Sequence, residues 1–227
     1  MSQNIEKVAV LGAGTMGAQI AGHLANAGIP SCLFDISQEL AEKGVEILTT
    51  LKPAPLYKPK NASLIEACNY EDHLDKIKDS DWIVEAVAEK LDIKHKVYNN
   101  IADYIKKTAI ISSNTSGIPL SDLTKVMSDD VKNRFLITHF FNPPRYMRLL
   151  ELVKGPDTSN DIYNDMAIFG EDILGKGIVH AKDTPNFIGN RIGVHGGNNA
   201  IKLAIKMGLT CEEVDKLTGT IVGRPKS

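Results

Sequence analysis

The chain has 227 residues, enough for one large domain or for one domain and part of a second. A hydrophobic fraction of 43% supports a buried core, and a formal net charge of −2 predicts no polyanion-binding surface and no nucleic-acid partner. No apolar run reaches the length of about 18 residues that a membrane span needs, so we expect no membrane insertion.

The three cysteines, Cys32, Cys68 and Cys211, are widely spaced and form no C-x-x-C motif. This pattern favours reduced thiols in a cytoplasmic compartment, and no cluster along the chain has metal-ligand spacing, so we predict no metal. The first predicted strand begins within a few residues of Met1, so we expect no leader peptide. An organellar matrix, reached with a leader that has been removed, stays open.

The first recognisable unit covers residues 7–35. A strand over 7–11 precedes a G-x-G-x-x-G turn, and a helix with small residues follows and ends near Gly28. In this pattern glycines allow a tight turn, a close approach of backbone to a pyrophosphate, and close packing of helix on strand. The predicted nucleotide-binding residues of the turn are Gly12, Gly14, Thr15, Met16 and Gly17.

A second short strand, 32–34, ends in Asp35, 18 residues after Gly17 and about where a ribose-binding acid is expected. An acid there accepts hydrogen bonds from both ribose hydroxyls and repels a 2′-phosphate, and no arginine follows it closely. The sequence therefore predicts NAD rather than NADP as the cofactor. A purely structural βαβ turn is the alternative interpretation.

Strands and helices continue to alternate along the chain. Further strands are predicted at 64–68, 82–87, 108–112, 135–138, 149–153 and 177–181, and helices at 38–51, 91–106, 121–126 and 159–174. Residues 52–60 contain three prolines and three lysines and are either a solvated turn or a basic lip beside a phosphorylated ligand. Alternation predicts an α/β fold with a doubly wound, mostly parallel sheet of the Rossmann type.

The pattern changes near Asp183-Thr184-Pro185, after which helices are predicted at 186–207 and 211–217. We therefore expect a dinucleotide-binding domain over residues 1–185 and the beginning of a small all-α domain over residues 186–227. A helical segment this short has little area to bury, so it is expected to pack on a partner or to belong to a longer protein.

Candidate chemical groups lie at predicted strand ends. His139 follows the strand 135–138, and histidine suits acid–base work because it titrates near neutral pH; a structural histidine is an equally good interpretation. Glu151 lies inside an apolar run and calls for a cationic or imidazole partner. Ser116, in a cap-rich turn, and Asn190, early in a helix, are neutral hydrogen-bonding candidates.

Six motifs together resemble the N-terminal part of L-3-hydroxyacyl-CoA dehydrogenases, over essentially the whole chain. They are GAGTMG at 12–17, VEAVAEKLDIK at 84–94, SNTSG at 113–117, THFFNPP at 138–144, LLELV at 149–153 and KDTPNFIGNR at 182–191.

The resemblance implies NAD-dependent oxidation of L-3-hydroxyacyl-CoA to 3-ketoacyl-CoA in fatty-acid β-oxidation. It makes His139 the general base and Glu151 its orienting partner, with Ser116 and Asn190 bonded to the reacting oxygen. In the cofactor site it assigns the adenosine ribose to Asp35, and the second ribose and nicotinamide to Glu89, Lys94 and Asn142. It also implies an acyl-CoA substrate and a homodimer formed through a helical domain.

The chain departs from the family where the family has a longer lysine-rich hairpin, here the Pro-interrupted segment 52–60, and in its short helical end. We therefore expect a fragment of a larger, multifunctional fatty-acid oxidation protein. Two other functions stay open: dehydrogenation of a hydroxy acid not linked to CoA, and non-catalytic NAD binding on the same fold.

Overall fold

The computed structural model describes residues 5–223. One sheet of eight strands has the spatial order β3-β2-β1-β4-β5-β6-β7-β8. The strands are β1 (Val8–Leu11), β2 (Ser31–Asp35), β3 (Ile65–Asn69), β4 (Trp82–Glu85), β5 (Ile110–Ser113), β6 (Phe135–Phe140), β7 (Leu149–Lys154) and β8 (Gly177–Ala181).

Helices connect these strands along the chain. They are α1 (Thr15–Asn26), α2 (Gln38–Thr50), α3 (Leu91–Ile101), α4 (Leu120–Leu123), α5 (Asp129–Asn133), α6 (Asn160–Ile168), α7 (Gly189–Met207) and α8 (Cys211–Thr218). Short 3₁₀ turns occur at Pro59–Leu64, Leu74–Asp79, Ala102–Tyr104, Thr124–Val126 and Thr220–Val222, and a π-helical turn at Phe169–Ile173.

Every neighbouring pair of strands is parallel except β6 and β7, which run antiparallel. The prediction of a doubly wound, mostly parallel Rossmann-type sheet is confirmed. The chain moves outward from β1 through β2 to β3, then returns to place β4 on the other side of β1. Ligands of such sheets bind where the strand order reverses, outside the carboxyl ends of the strands, which here is the crevice between β1 and β4.

The central strands are buried along their whole length because helices cover both faces of the sheet. All four residues of β1 (VAVL) and of β4 (WIVE) are buried, as is every residue of β6. Continuous apolar runs are what a strand covered on both faces requires. The one acid in these runs, Glu85 in β4, is consequently a buried charge that needs partners.

Several element ends differ from the predictions. Strand β6 runs to Phe140, so His139 lies inside a strand rather than after it. Helix α6 ends at Ile168 and continues as a π-helical turn, and α3 ends at Ile101 and continues as a 3₁₀ turn. The predictions treated each as one uninterrupted helix, because hydrophobic spacing does not show where the hydrogen-bond pattern changes.

The proline-rich segment after α2 is held by side chains from elsewhere in the fold. Asn26 Nδ2 donates to Pro55 O at 2.8 Å, and Arg145 Nη1 donates to Leu56 O at 2.8 Å and to Ala54 O at 2.6 Å. Its lysines are exposed, at positions 52, 58 and 60. The segment is therefore anchored through its backbone carbonyls while its charges face solvent.

Contacts between Cα atoms divide the chain into two compact units, Met1–Pro185 and Asn186–Ser227. The second unit contains α7 and α8, joined at Gly208, which has a φ of +66°, and Thr210 caps α8 in a reciprocal capping box with Glu213. Neither α7 nor α8 buries a residue. Within residues 5–223, no helix combines the length and apolar character needed to cross a bilayer.

A buried histidine, His23, joins α1 to the turn after α6. Its Nε2–H donates to Leu174 O at 3.0 Å, and burial, followed by the charge of Lys176, lowers the pKa of His23 to about 4. The unfolded chain therefore binds a proton between pH 6.5 and 4 that the folded chain does not, and the free energy of unfolding must fall as the pH falls through this window.

We predict that His23→Gln removes most of this pH dependence. The amide of the glutamine can still donate to Leu174 O, but it does not titrate. Between pH 6.5 and 4 the free energy of unfolding of the variant should therefore fall by roughly 3 kcal/mol less than that of the wild type. Urea unfolding across this range measures the difference. The exposed histidine variant His195→Gln is the control, and a His23→Gln slope equal to that of this control would contradict the prediction.

Candidate active site

The glycine turn between β1 and α1 is packed so closely that two of its positions have no room for a side chain. Gly12 has a φ of +102°, and a Cβ there would lie 2.8 Å from Ala86 O. A Cβ at Gly17 would lie 1.8 Å from Gly12 O. At Gly14, by contrast, a Cβ would meet nothing within 4 Å, because this position faces open space. The turn is therefore tight on the protein side and open on the ligand side.

Asp35, at the end of β2, is held by backbone amides. Its Oδ2 accepts from Ala13 N at 2.7 Å and its Oδ1 from Ile36 N at 2.7 Å. These bonds connect the carboxylate to the glycine turn and fix it at the mouth of the crevice. Each oxygen keeps further lone pairs, so a pair of vicinal hydroxyls can still donate to it.

A cavity of about 520 Å³ opens between these two features. Backbone from the glycine turn forms one wall, and the loop after β4 and the start of α3 form the other. Its lining residues are Gly12, Gly14, Thr15, Met16, Asp35, Ile36, Tyr70, Ala86, Val87, Ala88, Ile93 and Val97. Four of the five predicted turn residues and the predicted ribose acid therefore border one cavity, while Gly17 is buried behind it.

Glu89 lies after β4 and is fixed by the neighbouring strand end. Its Oε1 accepts from Thr115 Oγ1 at 2.5 Å and from Ser116 N at 2.8 Å, and its Oε2 lies 3.2 Å from Lys94 Nζ. Partial burial opposes ionisation, but these hydrogen bonds and the Lys94 charge outweigh it and lower the pKa of Glu89. The predicted site residues Glu89 and Ser116 are thus in direct contact, and Ser116 is exposed.

Lys94 lies behind Glu89 and is 1% exposed. Its Nζ is 2.6 Å from Glu85 Oε1, and the other oxygen of Glu85 accepts from Tyr98 Oη at 2.8 Å and Ser113 Oγ at 2.6 Å. Burial, and then the charge of Glu85, raise the pKa of Tyr98 well above its ordinary value, so the phenol stays a donor. Lys94 therefore supports Glu89 from within the fold.

His139 and Glu151 face each other across the antiparallel pair β6 and β7, in direct register. The distance from His139 Nδ1 to Glu151 Oε2 is 2.8 Å, the imidazole is 4% exposed, and the carboxylate is fully buried. Phe141 lies against the imidazole with ring centroids 4.6 Å apart. A buried carboxylate beside Nδ1 favours the tautomer that carries its hydrogen there and its basic lone pair on Nε2.

Asn142, exposed at the end of β6, is oriented by α1. Its Oδ1 accepts from Gln19 Nε2 at 3.0 Å, so its amide nitrogen is directed away from Gln19. Lys176 fixes the loop that follows: its Nζ donates to Met147 O at 3.0 Å and to Pro144 O, and burial lowers the pKa of Lys176 to about 8.

Asn190 belongs to the second unit, where it lies in the first turn of α7. Within the first unit, the other predicted residues lie in separate groups. Gly12, Gly14, Thr15, Met16 and Asp35 line the cavity, with Gly17 buried behind it. Glu89 contacts Lys94 and Ser116, His139 contacts Glu151, and Asn142 is bonded to Gln19.

Sequence reasoning missed the residues that support these groups. One of them is the buried carboxylate of Glu85, which accepts hydrogen bonds from Tyr98 and Ser113. The others are Gln19, which bonds to Asn142, and Lys176, which fixes the loop that follows Asn142. One signal was available: Glu85 is an acid inside the apolar run WIVEAV, the same observation that selected Glu151. The side chains that bond to Glu85 come from other elements and carried no local signal.

Comparison with known proteins shows which family this fold and these residues represent. The model of the family "3-hydroxyacyl-CoA dehydrogenase, NAD binding domain" matches residues 7–184. The chain belongs to this 3-hydroxyacyl-CoA dehydrogenase family. The resemblance noted from the motifs is confirmed, and so is NAD as the family's cofactor.

Relatives in this family cover nearly the whole chain. A probable 3-hydroxyacyl-CoA dehydrogenase of Deinococcus radiodurans is 48% identical over 98% of the chain, and one of Bacillus subtilis is 46% identical over all of it. The chain spans 66% of the first relative and 31% of the second. The crystal structure of (S)-3-hydroxybutyryl-CoA dehydrogenase from Ralstonia eutropha superimposes with a TM-score of 0.82 at 30% identity, covering 98% of this chain and 79% of that one.

We predict that Lys94→Met strongly destabilises this dehydrogenase-family domain. It would leave the charge of Glu85 buried without its cationic partner, which typically costs about 3–5 kcal/mol of stability. Chemical denaturation measures the loss. Lys96→Met, an exposed lysine on the same helix, is the control and should change stability by less than about 0.5 kcal/mol. Equal effects of the two substitutions would show that the buried pair contributes nothing.

Proposed function

We propose that this chain supplies the cofactor-binding and proton-transfer half of an NAD-dependent L-3-hydroxyacyl-CoA dehydrogenase, which oxidises the 3-hydroxyl to a ketone. The observation that carries the proposal is the buried pair His139 and Glu151, 2.8 Å apart, in a chain of this family. A histidine beside a buried carboxylate is an acid–base device that ordinary packing does not need.

His139 acts as the general base in this proposal. Glu151 accepts the Nδ1 hydrogen, so Nε2 can take the proton of the 3-hydroxyl, and the buried carboxylate then stabilises the imidazolium that forms. In the opposite direction the imidazolium returns this proton to the ketone oxygen. Bound NAD supplies the acceptor for the hydride that leaves C3.

The residues around the 520 Å³ cavity fit a dinucleotide. Gly14 leaves space at the first turn of α1, where backbone N–H groups favour a pyrophosphate, and Asp35 offers carboxylate oxygens for the hydroxyls of the adenosine ribose. Glu89 and Asn142 are proposed to hold the second ribose and the nicotinamide. Lys94 acts through Glu89, since it is buried behind that carboxylate.

Ser116 and Asn190 are proposed to donate hydrogen bonds to the reacting oxygen of the substrate. Ser116 is exposed beside Glu89, and its backbone N–H is already bonded to Glu89, which leaves its hydroxyl for this role. Asn190 would have to come from the second unit, as part of a helical domain that helps to bind the acyl-CoA. Membership of the family is also the basis for three further proposals. They are a dinucleotide-binding domain over residues 1–185 with the start of a helical domain over 186–227, a homodimer formed through that helical domain, and a cytoplasmic location.

A dehydrogenase acting on a hydroxy acid without CoA is the alternative, because the His139–Glu151 pair serves any secondary alcohol. Comparing turnover of free and CoA-linked 3-hydroxy acids distinguishes the two functions. A non-catalytic NAD-binding protein would need neither a buried imidazole nor the carboxylate that orients it, so the pair argues against this third function.

We predict that His139→Gln lowers kcat/KM for acetoacetyl-CoA reduction by about 10²–10⁴-fold, the usual contribution of a general acid–base group. NADH oxidation followed by absorbance measures turnover, and NADH fluorescence measures cofactor affinity. Glu151→Gln should also lower kcat because it no longer stabilises the imidazolium. Both variants should bind NADH with nearly unchanged affinity.

His180→Gln is the matched control, since His180 lies in the same sheet and is bonded to Tyr163. Turnover of His139→Gln equal to that of this control would refute the role of His139. A wild-type chain that binds NADH but is inactive on CoA-linked and free substrates alike would favour the non-catalytic alternative if a longer chain with the complete helical domain is inactive as well.

We further predict that Gly14 and Gly17 fail in different ways when changed to alanine. Gly14→Ala has room for its methyl group, so the fold should keep its stability while NADH affinity falls. Gly17→Ala places its Cβ against Gly12 O. It should lower the free energy of unfolding by about 3 kcal/mol or more, the upper end of the usual cost of inserting a methyl group into a well-packed region. Thermal unfolding and NADH titration of both variants check this, and normal NADH affinity in a folded Gly14→Ala chain would contradict it.

A further inference from the structure

Two cysteines and a glutamate meet at the edge of the sheet formed by β2 and β3. In the parallel register Cys32 lies opposite Glu66, and Cys68 follows two residues later, so all three side chains share one face. One ligand atom of each, the two Sγ atoms and a carboxylate oxygen, lies within 4.8 Å of the others. Cys32 Sγ is 3.8 Å from Glu66 Oε2.

The register argues against a disulfide between the two cysteines. Cys68 pairs with Phe34, two residues beyond Cys32 on β2. A strand spacing near 4.8 Å and a rise of about 3.3 Å per residue then separate their Cα atoms by roughly 8 Å. Cysteines whose Cα atoms are more than about 7 Å apart cannot be bridged without moving the backbone. Their thiols can nevertheless approach a common third atom.

We propose that Cys32, Glu66 and Cys68 form a binding site for one thiophilic divalent cation of the Zn²⁺ class. Thiolate sulfur and carboxylate oxygen are ligands that this ion accepts, at about 2.3 Å and about 2.0–2.2 Å respectively. Ligand atoms within 4.8 Å of one another come within those bond lengths of a central ion through small side-chain movements. Water would complete a tetrahedral coordination.

The surroundings of the cluster suit such a site. Cys32 and Cys68 are buried, whereas Glu66 is exposed on the outermost strand, so an ion can enter from solvent on the Glu66 side. Lys76 Nζ contacts Glu66 Oε1 and leaves Oε2 facing Cys32.

A bound ion would fix the edge strand next to the cofactor cavity. Phe34 is in register with Cys68 and stacks on Tyr70, with ring centroids 5.6 Å apart, and Tyr70 lines the cavity beside the glycine turn. The ion would link β2 to β3 through side chains as well as through the hydrogen-bond ladder. It would therefore raise the stability of the folded chain by mass action.

Cd²⁺ titration of the chelator-treated chain under a non-thiol reductant tests the proposal. We expect one equivalent to produce the ultraviolet charge-transfer absorption of a cadmium–thiolate bond, and Zn²⁺ to displace it. Cys32→Ser and Cys68→Ser should each abolish high-affinity binding, while Glu66→Gln should weaken it and keep the absorption. Cys211→Ser is the matched control, since Cys211 is exposed in the second unit, and it should bind like the wild type.

Absence of the absorption in the wild type, or its persistence in Cys32→Ser or Cys68→Ser, would overturn the proposal. Alkylation of the wild type provides a test that does not depend on the folding of a variant. Zn²⁺ should slow the modification of Cys32 and Cys68, read by peptide mass, and should leave the rate at Cys211 unchanged. Equal rates at Cys32 and Cys68 with and without Zn²⁺ would also overturn it.

Discussion

The close packing of the glycine turn against α1 on one side and against the backbone that follows β4 on the other is the constraint on which the rest of the site depends. Gly17 lies so near Gly12 that a Cβ there would be 1.8 Å from Gly12 O, and a Cβ at Gly12 would be 2.8 Å from Ala86 O. These contacts hold the first turn of α1 directly over the crevice at which the strand order reverses. The free N–H groups of that turn can then act at short range on an anionic ligand, because the dipole effect of a helix falls off within its first turn.

Buried charges provide the rigidity that the exposed groups of the site require. Glu85 is fully buried, and Lys94, Tyr98 and Ser113 bond to its two oxygens. Removing one partner of such a network is costly, so α3 is held against β4 and β5 in one arrangement. Glu89 contacts the same lysine and the next strand end, and thus acquires a fixed position while remaining half exposed. The buried ion pair of Glu85 and Lys94 therefore fixes the position of Glu89 at the surface.

The sequence predicted what local pattern determines: the alternation of strands and helices, the glycine turn, the acid after β2 and the parallel sheet. It could not predict distances across strands, because strand register depends on pairing between distant segments. His139 was placed after its strand, although it lies within β6 and directly opposite Glu151. We predicted no metal because no cluster along the chain has metal-ligand spacing, and the β2–β3 register that brings Cys32 and Cys68 to one face of the sheet likewise has no local signal. Glu85 carried the same local signal as Glu151, but the three side chains that bond to it come from α3 and β5.

The single antiparallel pair in the sheet explains how the imidazole acquires its orienting carboxylate. In parallel strands all carboxyl ends meet at one edge. Strand β7 instead runs back along β6, so Glu151, near its beginning, lies opposite His139, near the end of β6. Side chains in such direct pairs have Cβ atoms about 4.5–5.5 Å apart, a separation that a hydrogen bond between imidazole and carboxylate can span. The backbone ladder on both strands thus fixes the pair, and the orientation of the imidazole does not depend on the conformation of a loop.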